Sequence, residues 1–350
     1  MEKPTVQQPV QVVSKSEGRS LGARTPIGKG VGVGSRLWII ATVVFAVAVV
    51  WPFVFSNPFM VTIGTLVVLN AIGASSLHLV IRTGHVSLCH AAFMGIGAYT
   101  AVLTLMRLGL PFPLNLLAAA ATPAILALLI GPVVLRLTGK YFVLVTFMLG
   151  EIIRLVFLQW TSLTGGANGI FDIPPPSPSL NTPRGFYYLS LSCATLCVGL
   201  VVRILVSEIG RTIDSIRESE RLAGCSGVPV VRLKVVVFII ASSLVGIQGG
   251  LHAYLLHYID PGSFTIVQSM NFVVMNVIGG MEHLAGALIG TVFLVTLPEL
   301  LRGYVDVQHV MFGIILIIIM AAMPGGIVEL VARLRSWRAG QAKEEEQQVS

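Results

Sequence analysis

Residues 38–55 run for 18 positions without a charge, and the chain returns to that pattern almost to its far end. A helix of about 20 such residues, rising 1.5 Å each, crosses the ~30 Å hydrocarbon core of a bilayer. Further apolar runs cover 60–81, 85–106, 111–135, 141–160, 185–206, 235–256, 264–301 and 307–323. The stretch 264–301 is long enough for two crossings, with a break near Gly279, Gly280 and His283. Only 11% of the residues are charged, against about a quarter in a soluble domain. The expected fold is therefore all-α and integral to the membrane: a polytopic bundle of about ten transmembrane helices, within a range of eight to ten. The Gly-rich regions 60–106 and 264–301 are expected to hold broken or re-entrant segments.

The basic residues decide the orientation. Lys3, Lys15, Arg19, Arg24, Lys29 and Arg36 fill the tail 1–36, and Arg82, Arg136 and Lys140 follow alternate runs. Arg333, Arg335, Arg338 and Lys343 lie in the tail 324–350. Basic residues collect on the cytoplasmic side, so both termini are expected there, around a membrane domain 37–323. The Pro-rich loop 161–184, with Arg184 as its one basic residue, is expected outside. The net charge of +7 is spread over loops and tails and forms no single basic face, which argues against a nucleic-acid partner. Cys89, Cys193, Cys197 and Cys225 show no metal-ligand spacing, and His85 and His90, five apart, do not share a helical face. No catalytic or metal-binding residues are assigned. The segment from Gly22 to Lys29 and Gly30 has the wrong spacing for a phosphate loop and lacks the hydroxyl residue after the lysine, so no ATP site is expected in the chain.

One polar stretch interrupts the oily sequence, residues 207–234. Within it Ile209, Ile213, Ile216 and Ala223 fall at helical spacings, with Arg211, Asp214, Arg217 and Glu218 on the other faces, and Gly227 and Pro229 stop the pattern. A short amphipathic helix between two spans suits a groove on a soluble partner; the same pattern also suits a helix lying on lipid headgroups. Elsewhere, residues 84–99 place Ser87, His90, Gly95, Gly97 and Tyr99 at membrane depth, where small residues pack helices closely and broken helices free backbone groups for a polar path. Glu151 and Arg154, three apart, share a helical face as part of a pathway or as a lock between helices. Asn276 adds a polar position beside Gly279 and Gly280, while Ser242, Gly246 and Gly250, and Gly286 and Gly290, recur every four residues as close-packing faces.

Taken together, residues 84–99, 141–154, 165–170, 210–227, 263–280 and 298–301 resemble the permease subunits of ABC importers for branched-chain amino acids, of the LivM-like kind. The resemblance covers about 65–330. It implies a translocation subunit of a bacterial inner membrane that is not an enzyme and binds no cofactor, ATP being used by two cytoplasmic ATPase subunits. It also implies a second permease, making a heterodimer, and an external solute-binding protein. By the same resemblance the loop 207–234 is the ATPase-coupling element, with Gly210, Arg211, Arg217, Glu220, Ala223 and Gly227 as its residues. Ser87, His90, Gly95, Gly97, Tyr99, Glu151 and Asn276 are the candidate pathway residues. Arg82, Thr83, Gly84 and His85 depart from the family's usual pattern, and related permeases carry urea or short amides. The rival classes are an ion-coupled secondary transporter, which asks for more intramembrane carboxylates, and a membrane enzyme, which asks for a catalytic cluster.

Overall fold

The structure is a computed structural model and describes residues 45–55, 57–175, 182–301, 308–322 and 326–327. By its contacts the chain divides into Met1–Val47 and Ala48–Ser350, and the second unit holds the helical bundle. The expected readings of the two tails and of the glycines at 22–30 lie outside the described residues. In chain order the helices are α1 (Phe45–Val54), α2 (Pro58–Ile81), α3 (His90–Leu108), α4 (Phe112–Val134), α5 (Lys140–Gln159) and α6 (Thr161–Thr164). They continue with α7 (Pro183–Val206), α8 (Glu208–Glu218), α9 (Glu220–Cys225), α10 (Val230–Leu256), α11 (Ile266–Gly279), α12 (Leu284–Leu300) and α13 (Gln308–Ala322).

Six of these, α2, α3, α4, α5, α7 and α10, are long and apolar enough to cross a membrane. α11 and α12 together pass the same test but are bent by 117° at their junction, as a broken span or a re-entrant hairpin is. α1 and α13, apolar too, are shorter in the described residues. The chain is thus a multi-pass all-α membrane protein; among the described residues six helices are long enough to span, or seven with the bent pair, where the apolar runs predict about ten. The difference comes from 264–301, divided into helices of 14 and 17 residues that count together as at most one span, and from the runs at 38–55 and 307–323, whose helices α1 and α13 are short in the described residues.

Local chemistry sets the helix ends. Asn57 accepts from the Phe59 amide and Pro58 opens α2; Thr182 accepts from the Gly185 amide and Pro183 opens α7. α3 ends on Gly109 in the left-handed conformation.

α10 lies at the centre, against α2, α3 and α4. The approach is backbone to backbone: a Cβ on Gly97 of α3 would run into the Gly246 backbone of α10, and one on Gly246 into the Ala119 carbonyl of α4. The same holds at the bent pair, where Gly286 lies on Gly279 and Gly280, and Gly290 on the Met275 carbonyl. Lipid supplies no hydrophobic drive between helices, so this closeness, with its dispersion contacts, is what holds them. Phe93 of α3 meets Phe238 of α10 edge-on at 5.4 Å. α5, by contrast, is covered only along the stripe Phe142, Thr146, Ile153 and Phe157.

Residues 82–89 are not helical, so the third span begins at His90 rather than at His85. Gly84, at φ 83°, turns the chain after α2. The freed polar groups find partners inside the bundle: the Leu88 amide donates to Thr146 Oγ1 at 3.2 Å and the Ala91 amide to Ser269 Oγ at 2.9 Å. Non-helical backbone at membrane depth persists only where protein satisfies it in this way.

Candidate functional site: a polar face and a cleft at a helix break

At one end of the bundle the polar stretch forms two helices, not one. Ser219 is extended, ends α8 and accepts from the Leu222 amide to start α9. Ile213, Ile216 and Ala223 turn inward and are buried, whereas Ile209 and Leu222 are exposed, at 49% and 70%. Gly210 lies so close to the end of α7 that a Cβ would strike the Leu205 carbonyl. Gly227 is exposed at φ 84°, with open space where a side chain would stand, and it lets the Val228 amide turn back to the Ala223 carbonyl.

Ion pairs fasten this face to the spans. Arg82, just after α2, holds Asp214 of α8 through Nε at 2.7 Å and Nη2 at 2.5 Å. Its Nη1 donates to the carbonyl oxygen of Glu282, in the turn between α11 and α12, at 2.9 Å. Arg217 of α8 binds the Glu282 carboxylate through both terminal nitrogens, one at 3.0 Å. These hydrogen bonds hold the Glu282 carboxyl below the usual carboxylate range. Lys234, at the foot of α10 and fully buried, lies 2.7 Å from Glu220 of α9. Arg211 pairs with Glu208 on its own helix, and both are largely exposed.

The second feature is a small cleft at the break before α3. Leu88, Ala92, Phe147, Gly150, Glu151, Phe264, Thr265, Ile266 and Ser269 line it. It encloses about 180 Å³ of empty space including its open mouth, of which the closed depth has room for about one water. Leu88, Phe147, Phe264 and Ile266 give it an apolar wall; the Ser269 and Thr265 hydroxyls and the Glu151 carboxylate give it polar groups. Glu151 is bound by Arg154, one turn along, through Nε at 2.9 Å and through Nη2.

A family model for the branched-chain amino acid transport system permease component matches residues 59–323. The chain belongs to that family. The LivM permease of the high-affinity branched-chain amino acid transport system from Salmonella typhimurium is 30% identical over 348 residues, covering 92% of this chain and 81% of the relative. Its counterpart from Escherichia coli K12 shows the same identity and coverage. A probable branched-chain amino acid transport permease, LivH, from Methanocaldococcus jannaschii is 22% identical over 68% of this chain and 78% of its own length. None of the solved structures matches the chain.

Within this permease the residues singled out from sequence fall in different places. Glu151 lines the cleft. Ser87, fully buried, lies 3.2 Å from Cys89 Sγ just before it, and His90, also fully buried, opens α3. Tyr99 meets Phe157 with its ring tilted at 4.6 Å and Phe264 edge-on at 6.0 Å, and Gly95 makes room for the same two rings. Gly97 packs on α10. Asn276 is buried on α11, its amide donating to the Ala74 and Phe272 carbonyls and its oxygen 3.1 Å from His78 Nδ1. Sequence reasoning passed over Thr265 and Ser269 of the cleft, and Arg82, Lys234 and Glu282 as partners of the polar face. The last three did carry a signal: Arg82 and Lys234 are charges at the edge of an apolar run, and Glu282 is one at the expected break within 264–301. Among the described residues no three His, Cys, Asp or Glu side chains gather as a metal site.

Proposed function

We propose that this chain is the translocation subunit of an ABC importer that carries branched-chain amino acids inward, driven by ATP hydrolysis on two separate cytoplasmic ATPase subunits. The α8–α9 face receives the ATPases, which makes that end of the bundle cytoplasmic and the end bearing the 161–184 loop external, facing a solute-binding protein. The observation that carries this reading is the α8–α9 element itself. It is anchored to α2, α10 and the α11–α12 turn by ion pairs, yet it leaves Ile209, Leu222 and the open space at Gly227 free for a partner. Membership in the family and the names of the LivM relatives support the solute class.

The weakly covered α5 supports a second permease beside this one. It carries the Glu151–Arg154 pair halfway along an otherwise apolar helix, where a charge facing lipid is costly. The departure from the family pattern at Arg82 and His85 does not favour urea or amides. Arg82 is occupied at the coupling face, and His85 packs edge-on against Phe142 outside the cleft lining.

Affinity purification of the tagged chain from gently solubilised native membranes tests the assembly. ATPase subunits and a second permease are expected to co-purify and to be lost with Gly227→Arg. Recovery of the chain alone, in detergents that keep other importers whole, would overturn the reading.

A further inference from the structure

Two parts of the chain touch both the polar face and the cleft: the non-helical segment 82–89, from Arg82 to Leu88, and α11 with the turn after it, which is the one gripped by two arginines. We infer that α11 is the rod that carries displacement of the α8–α9 element to the cleft, with Arg82, Arg217, Asp214 and Glu282 as the clamp on its near end. This role rests on the ATPase-coupling reading and assigns its route.

At the near end, the turn after α11 is gripped twice. Arg217 holds the Glu282 side chain, and Arg82 holds the Glu282 backbone while also holding Asp214 of α8. A shift of α8 therefore pulls on the turn through side chain and main chain together. At the far end, Thr265, Ile266 and Ser269 are part of the cleft wall, and Ser269 Oγ accepts from the Ala91 amide in the first turn of α3. The 14 residues between, at 1.5 Å each, make a rod of about 21 Å.

The competing route through Lys234 and α10 is less mobile. α10 meets α3 and α4 backbone to backbone at Gly246 and Gly249, where sliding requires three helices to repack. α11 is packed as closely on α12, at Gly279 and at Met275 beneath Gly290, so the bent pair shifts as one body; against α2 it is held by hydrogen bonds, Asn276 with His78 and with the Ala74 carbonyl at 3.1 Å and Gln268 with Asn70 at 3.4 Å, which re-form after small shifts. The clamp residues are partly exposed, so the pairs add little to stability; what they fix is position.

The test uses the whole importer, this chain with its second permease, ATPases and binding protein, in proteoliposomes supplied with labelled L-leucine. Glu282→Arg is expected to lower uptake by roughly tenfold, within the range typical of coupling between sites, while ATP hydrolysis persists and the melting temperature of the complex holds. The exchanged pair Arg217→Glu with Glu282→Arg is expected to recover most of the uptake, which a merely structural loss would not. Full uptake in Glu282→Arg, or a loss that the exchange does not recover, would overturn the rod. If Glu282→Arg does not assemble, Glu282→Gln keeps a hydrogen bond without the charge and is expected to reduce uptake by a smaller factor; unchanged uptake in it would likewise count against the clamp. Glu220→Lys, on α9, separates the two readings. Uptake lost there but kept in Glu282→Arg defeats only the rod, whereas uptake kept in both defeats the coupling face as well.

Discussion

At Gly249 of α10 a methyl group would fall on the Met94 carbonyl of α3, and at Gly227 it would meet nothing at all. The two glycines are needed for different reasons, and substitution separates them. Gly249→Val overpacks a joint where no side chain can yield, at a cost of about 1–3 kcal/mol. A lowered melting temperature of the purified complex is expected, and an unchanged one would contradict the close packing. Gly227→Ala meets only the left-handed backbone, at a cost of about 1–2 kcal/mol, and most of the uptake should survive. Gly227→Arg fills the open space and should abolish uptake with membrane insertion intact. Equal uptake in these two variants would mean that nothing docks there. The sequence exposed the packing glycines because their recurrence at fours is a local pattern, seen at Ser242, Gly246 and Gly250. It did not expose the Glu282 grip, since Arg82 and Glu282 lie 200 residues apart and no local spacing joins them.

Among the elements, α5 is the one whose environment is least settled by this chain. Its covered stripe is narrow, and Glu151 neutralises Arg154 on a half-open flank. A lone arginine near the bilayer centre costs roughly 3 kcal/mol on insertion scales. Glu151→Gln should therefore lower the melting temperature, and Glu151→Gln with Arg154→Gln should recover it. If the double variant is stable but inactive in leucine uptake, the pair belongs to the pathway; if it is stable and active, it is a lock between helices. An unchanged melting temperature in the single variant would contradict the pairing. The pair was legible in the sequence because three residues is a helical spacing. The division of α8 from α9 was not, because Ile209, Ile213, Ile216 and Ala223 fit one continuous stripe, and only the Ser219 cap breaks it. The start of α3 was hidden similarly: residues 85–89 are apolar enough to read as helix, while the amide partners that permit the break, Thr146 and Ser269, come from α5 and α11.

For the whole molecule, the apolar runs were enough to establish an all-α membrane bundle, because a bilayer leaves a chain of this composition few alternatives. The bend within 264–301 was expected from its glycines, but not its angle of 117° between two helices too short to cross singly, since that is set by the packing of Gly286 on Gly279 and Gly280. What the bundle adds is a division of labour. α10 with α3 and α4 forms a closely packed centre, and α11 with its turn connects the polar face at one end to the cleft at the helix break. For the importer proposed above, two packings whose balance the ATPases shift are enough. The measurement that tests this most directly is accumulation of labelled L-leucine by the reconstituted importer with ATP on the α8–α9 side and no ion gradient across the membrane. Accumulation that requires ATP and disappears with Gly227→Arg is the expected result. Accumulation that follows an imposed ion gradient without ATP would contradict it.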